Sequence, residues 1–120
     1  MKIIFTTSGT DLDALLDRRF GRAPKFLVYD LEAETFEVVD NLQNLNAAQG
    51  AGIQSAETVA RLGAKAVVTG NCGPKAFQVL RTAGIGIFNT DAPTVALALE
   101  QYRSGALAEA QSANKDGHWQ

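Results

Sequence analysis

The chain has 120 residues, 46% of them hydrophobic and 20% charged, which suits one domain with a modest core and leaves no room for two. With 11 basic against 13 acidic residues the net charge is -2, so nothing draws the whole molecule to nucleic acid or an anionic membrane, and any anion site has to be local. A single cysteine excludes an internal disulfide and an all-cysteine metal cage and fits a reducing, cytoplasmic setting. No apolar run approaches the length of a membrane span, and the start, Met1 to Thr6, is too quickly polar for a secretion signal.

Lys2 to Thr6 is apolar and β-branched and is followed by Thr7-Ser8-Gly9, the pattern of an inner strand running into a polar loop. Leu12, Leu15 and Leu16 stand at helical spacing and predict one or two turns between Asp11 and Phe20. Arg18, Arg19 and Arg22 then fall within five residues around Phe20-Gly21. They read either as solvated surface charge or as an anion clamp on a fixed loop. Lys25 to Asp30 and Phe36 to Asp40 are two strand-like runs close enough to form an antiparallel hairpin. Asn41 to Gly52 lacks periodic apolar residues and reads as a connecting loop.

From Ile53 the period becomes helical, with Ile53, Ala56, Val59 and Ala60 on one face and Gly63 as the stop. Ala64 to Thr69 is the next strand. It leads into Gly70-Asn71-Cys72-Gly73-Pro74, where the glycines allow a tight turn and Pro74 fits the first position of a helix. That helix carries Ala76, Phe77, Val79 and Leu80 and ends at Gly84. Ile85 to Phe88 is a strand, and Val95, Leu99 and Tyr102 mark a last helix stopped by Gly105. The order is three strands, then helix, strand, helix, strand, helix. A right-handed crossover makes the later strands parallel, which predicts an α/β fold with a five-stranded mixed sheet, order 3-2-1-4-5, and helices on both faces. Residues 1–108 form the single domain, and 109–120 a polar, flexible tail holding the only histidine, His118, and the only tryptophan, Trp119.

In such a sheet ligands bind beyond the carboxyl ends of the parallel strands. Those ends are Thr7-Ser8-Gly9, Gly70-Asn71-Cys72-Gly73 and Asn89-Thr90-Asp91, so three loops would converge on one crevice. A helix starting at Pro74 leaves backbone N–H groups facing that crevice, a natural place for negative charge. The same field would lower the pKa of Cys72, and a thiolate binds soft metals and iron-sulfur clusters. The alternative for Cys72 is a small buried hydrophobe, and for His118 a tail residue without a role.

Several chemistries fail on the residues present. A phosphatase-type thiol wants an arginine six positions on, where Gln78 stands, and a Cys-His pair would depend on His118 near the chain end. Two-metal nuclease chemistry needs several carboxylates, and neither the first strand nor the cysteine loop carries one. No Walker pattern and no complete Gly-x-Gly-x-x-Gly is present. One thiol and one histidine cannot close a four-coordinate site, so any metal would arrive as a preformed cluster or share ligands with a second subunit or an exogenous group.

Five stretches, Arg19 to Asp30, Gly50-Ala51-Gly52-Ile53, Thr69 to Phe77, Ala83-Gly84-Ile85 and Tyr102 to Leu107, resemble the dinitrogenase iron-molybdenum cofactor biosynthesis family, over a span from Met1 to about Leu107. The resemblance implies a ribonuclease H-like fold without nuclease activity. It also implies a non-enzymatic, cytoplasmic protein that binds, carries or stores an iron-sulfur or iron-molybdenum type cluster. Its partners would be cluster donor and acceptor proteins, with neither nucleic acid nor membrane, and its state monomer or homodimer. Gln49 stands where many members have a histidine. On this reading Cys72 and His118 are the candidate metal ligands. Ser8, Arg19, Arg22, Gly50, Gly52, Gly70, Asn71, Gly73 and Lys75 would hold the cluster, with Arg18 a further cation. A regulatory or protein-interaction module that binds no cluster, and a thiol-dependent enzyme, are the readings that compete with it.

Overall fold

Alternation along the first strand divides the molecule into two layers of core. β1 (Lys2–Thr7) turns Ile4 to one face of the sheet and Ile3 and Phe5 to the other, all at 0% exposure. A computed structural model describes residues 1–43 and 50–113. Five strands form one mixed sheet in the order β3-β2-β1-β4-β5, as the sequence predicts. β2 (Lys25–Asp30) lies antiparallel to β1 and to β3 (Thr35–Asp40), while β4 (Ala66–Thr69) and β5 (Gly86–Asn89) run parallel to β1. The β2–β3 turn is built on Asp30. Its Oδ1 accepts the N–H groups of Ala33 at 3.1 Å and Glu32 at 2.9 Å, which hold its carboxyl below the usual carboxylate range.

Helices cover both faces. α1 (Ala51–Arg61) and α2 (Pro74–Thr82) bury Ala56 with Val59 and Ala76 with Phe77 and Leu80, in one layer with Ile4, Phe26, Val28 and Val67. α3 (Val95–Arg103) buries Val95, Ala98 and Leu99 against Ile3, Phe5, Leu27 and Val68. These are the i, i+3 and i, i+4 spacings of one helix face. Burying a side chain such as Leu80 contributes about 1.5–3 kcal/mol. Each helix is followed by a glycine at φ 78°, Gly63, Gly84 and Gly105, the left-handed conformation that glycine adopts without a Cβ penalty. Thr94 caps α3, its Oγ1 accepting the Leu97 N–H at 3.2 Å.

Three expectations are corrected. Helical turns between Asp11 and Phe20 do not form. The Asp17 N–H donates to the Thr6 carbonyl at 2.7 Å, the Leu16 N–H to Pro93 at 3.0 Å, and the Leu15 carbonyl accepts from Thr7 Oγ1 at 2.8 Å. Those groups are therefore spent on neighbouring segments, and Leu15 is 68% exposed. The only helical piece before β2 is a 3-10 turn, Phe20–Arg22. Helix α1 starts two residues before the apolar period shows it, at Ala51. Finally, the first part of the expected tail is docked: Glu109 bridges Phe88, the Ala110 N–H donates to Ile87 at 2.7 Å, and Ala110 and Ala113 pack on the core. Small side chains there let the chain lie flat against the β5 edge.

Two truncations measure that docking. A chain ending at Leu107 is expected to be about 1–2 kcal/mol less stable in urea unfolding than one ending at Ala113, the worth of a backbone bond and two small half-buried side chains. Equal stability would mean the segment only rests on the edge.

Candidate functional site

Polar residues of three segments fasten the arginine loop to the starts of two helices. The Phe20 N–H donates to the Asn71 carbonyl at 3.0 Å, Arg19 pairs with Asn71 as a parallel bridge, and Asn71 Nδ2 donates to the Arg18 carbonyl at 3.3 Å. From the other side Asn41 Nδ2 donates to the Ala23 carbonyl at 2.8 Å and to Ser55 Oγ at 3.0 Å. Gln43 Nε2 reaches the Gly21 carbonyl and Ser55 Oγ. Asn41, Ser55 and Asn71 are buried, where a missing partner would cost about 1–3 kcal/mol. The ends of β1 and β4 are tied as well, Thr6 Oγ1 lying 2.8 Å from Thr69 Oγ1 and donating to the Asp17 carbonyl at 2.7 Å.

Glycine makes the approach possible. A Cβ on Gly21 would stand 2.9 Å from the Cα of Gly52, and one on Gly52 would stand 3.3 Å from the Cβ of Ala76. The 3-10 turn, α1 and α2 thus meet at their N-terminal ends around a cavity of about 220 Å³. Phe20, Gly21, Arg22 and residues 50–53 line it on one side, and Asn71, Gly73, Lys75 and Ala76 on the other. Gly50 and Gly73, the N-caps, have no side chain with which to accept from the first helical N–H groups, and neither first turn carries an acid. Each helix start carries roughly half a positive charge. With Arg22 and Lys75, both exposed, the site holds roughly three positive charges against no acidic lining residue. Among the described residues neither cation forms an ion pair.

The volume limits the guest. At about 30 Å³ per water it holds roughly seven, below the 300–1,000 Å³ typical of sites for drug-sized organic ligands. The arrangement suits a small anion of multiple charge, gripped by backbone N–H groups and two mobile cations.

Of the residues expected at the site, Arg22, Gly50, Gly52, Asn71, Gly73 and Lys75 line this cavity. Ser8 does not; the loop after β1 turns toward Pro93 and Thr94 on the α3 side. Gly70 does not either, and its role is clearance, since a Cβ there would meet the Arg18 carbonyl oxygen at 2.6 Å. Arg19 contributes its backbone, and Arg18 likewise. Cys72 is the main correction. Its side chain is 1% exposed, in the core layer with Phe20, Ala76 and Phe77, with Sγ 3.8 Å from the Gly73 carbonyl oxygen. Burial pushes its thiol up to about 12, the reverse of the lowering expected beside a helix start. Desolvation outweighs the helix field because the sulfur points into the core and not into the crevice. His118 and Gln49 lie outside the described residues. Among the described residues no group of three or more His, Cys, Asp or Glu comes together. Asn41, Gln43 and Ser55 were missed; an asparagine closing a strand was the one available hint.

This fold and site define a class. The sequence match covers residues 1–105, and the chain belongs to the dinitrogenase iron-molybdenum cofactor family. The apo form of the orange protein from Desulfovibrio gigas is 40% identical and superposes with a TM-score of 0.88, over 95% of this chain and 96% of that one. A NifB-like protein from Thermotoga is 28% identical with a TM-score of 0.81, over 97% and 98%. An uncharacterised protein of Methanocaldococcus jannaschii is 28% identical over 95 residues, 77% of this chain and 80% of its own length. No helix among the described residues is long and apolar enough to cross a membrane.

The state of Cys72 makes a sharp prediction. In the folded protein it should resist alkylation at pH 8 and react at the rate of a free thiol once denatured. Its folded pKa lies above the unfolded value of ~8.5. Its contribution to stability is therefore complete below that pH and is lost as pH rises toward 12. Urea unfolding should show stability falling above about pH 9, by up to ~1.4 kcal/mol per pH unit, with a shallower fall in Cys72→Ala.

Proposed function

We propose that this protein is a non-catalytic, cytoplasmic carrier of a small anionic metal-sulfur cluster, of iron-sulfur or iron-molybdenum type, passed from a donor protein to an acceptor. One observation carries the reading: two uncapped helix N-termini meet at a small cavity with Arg22 and Lys75 and no acid on its lining. The family's description, which names an iron-molybdenum cofactor, supports this kind of cargo, and the structure of the orange protein is described as an apo form, one without a bound group.

The chemistry of the lining decides how the cargo is held. Metal-sulfur clusters are polyanions, and here the groups offered to them are N–H donors and cations. With Cys72 sealed in the core, the cluster keeps its own sulfide and small-thiol ligands, and His118 is the one protein side chain left as a candidate ligand. Ligation through few or no permanent bonds makes transfer easy, since release breaks hydrogen bonds and charge contacts and no metal-thiolate bond. The same grip is sensitive to salt, because Arg22 and Lys75 are exposed.

Anaerobic incubation with a preformed iron-sulfur cluster capped by small thiols, followed by desalting and iron and sulfide assay, tests this. Wild type and Cys72→Ala should retain the cluster equally. Arg22→Ala and Lys75→Ala should each weaken retention several-fold and together by more than 10-fold, and raised salt should weaken it in wild type. A wild type that retains nothing, or a double variant that retains as much, removes the proposal. Loss in Cys72→Ala alone would return ligation to the thiol.

A further inference from the structure

β3 closes the sheet on one side, with β2 as its one neighbour among the described residues. Beyond its end the Asn41 N–H donates to the Pro24 carbonyl at 2.9 Å, so the backbone of Asn41 faces β2. In an antiparallel ladder successive residues alternate between facing the neighbour and facing away. Thr35, Glu37 and Val39 therefore face β2 as well, and Phe36, Val38 and Asp40 turn their N–H and C=O groups outward. Among the described residues nothing bonds to those outward groups.

Sheet edges are commonly guarded by lysine, proline, a bulge or a covering segment. β3 contains no lysine and no proline, and it pairs with β2 at every position from Thr35 to Asp40 without a bulge. Asp40 is already matched to Lys25 at 2.6 Å, which leaves Glu37 as the one charge of β3 without an ion pair among the described residues. Val38 packs on the α3 layer and Val39 on the α1/α2 layer. Phe36, 39% exposed, thus lies with Val38 on the α3 side.

The strand is complementary to itself in one register. A two-fold pair has to bring like faces together, which excludes a slip of one residue. With Val38 opposite Val38 of the second copy, Phe36 stands opposite Asp40 and Glu37 opposite Val39. All the outward residues then exchange bonds, and no acid meets an acid. Moving by two residues one way sets Glu37 against Glu37, which like charge disfavours. Moving by two the other way leaves Phe36 past the end of the facing strand. The first register also puts Phe36 diagonally beside Val38 of the second copy, within reach of an aromatic ring.

We propose that β3 is a self-association edge, across which two copies of this chain pair antiparallel, with Val38 on the two-fold axis, into one continuous sheet. The crevice lies toward the Asp40 end of β3, since Asn41 is bound to Ala23 and Ser55. Antiparallel pairing therefore sets the two crevices at opposite ends of the joined sheet, and each copy keeps its own site. The pairing does not depend on the carrier reading.

Sedimentation equilibrium of the full chain, with no cargo present, tests this. A contact one strand long is small beside a standard interface, so half-association is expected on the order of 0.1 mM. The mass should rise from 12.8 kDa to twice that and stop. Val38→Lys and Val38→Glu each set like charges on the axis and should weaken association more than about 10-fold with far-ultraviolet circular dichroism unchanged, while an equal mixture of the two restores it. Where a variant does not fold, amide exchange of wild type decides. Protection of Phe36, Val38 and Asp40 should grow with concentration, whereas that of Glu37 and Val39 is present throughout. A wild type that stays monomeric up to about 1 mM would overturn the proposal and leave the rim to a strand of another protein or to none. So would a variant that associates like wild type, a mixture of folded variants that stays monomeric, or protection of the outward amides that does not change with concentration.

Discussion

Two helix ends of the same electrical sign are held in contact, and the rest of the molecule serves that constraint. The starts of α1 and α2 repel one another, so their approach has to be offset elsewhere. Part of the offset is steric permission, since Gly21, Gly52 and Ala76 are small enough for three backbones to meet. The remainder is the apolar layer behind them, where Ala56, Val59 and Leu80 are fully buried. An anion between the two ends converts the repulsion into attraction. Any ligand that binds only the folded form adds stability as its concentration exceeds its dissociation constant, so occupation and folding are linked at this point of the structure.

The loop carrying Arg22 is fixed without spending charge. Asn41, Gln43, Ser55 and Asn71 hold it through amides and a hydroxyl, so the guanidinium is not consumed in keeping its own segment in place. This division of labour explains how a chain with a net charge of -2 presents a locally positive hollow. The acids stand elsewhere, for example Glu34 beside Arg103, Asp40 beside Lys25 and Glu32 beside the amino terminus.

Strand order and the existence and ends of the three α-helices were legible because each depends on local signals that agree: β-branched runs for β1 and β4, glycine after each of these helices, proline at the first position of α2. The crevice was legible in outline for the same reason, as parallel strands open at one end. The direction of the Cys72 side chain was not. It sits three residues beyond β4, where the period of two no longer dictates which way a side chain points, so its place in the core depends on how Phe20 and Phe77 pack around it. Ser8 was misplaced because the loop after β1 is captured by backbone bonds to Pro93, a contact 77 residues away in the chain with no local mark. The Asn41–Ser55 pair likewise joins residues 14 apart that fit no short motif.

The segment at Glu109 and Ala110 has a consequence for assembly. By pairing with Phe88 and Ile87 it occupies the outer side of β5, which leaves β3 as the one strand among the described residues with an unpaired rim. A sheet open on both sides can add copies of itself indefinitely, whereas a sheet open on one side closes after a single two-fold pairing. The part of the β5 rim that this segment pairs with is thereby closed to strand addition by a second copy.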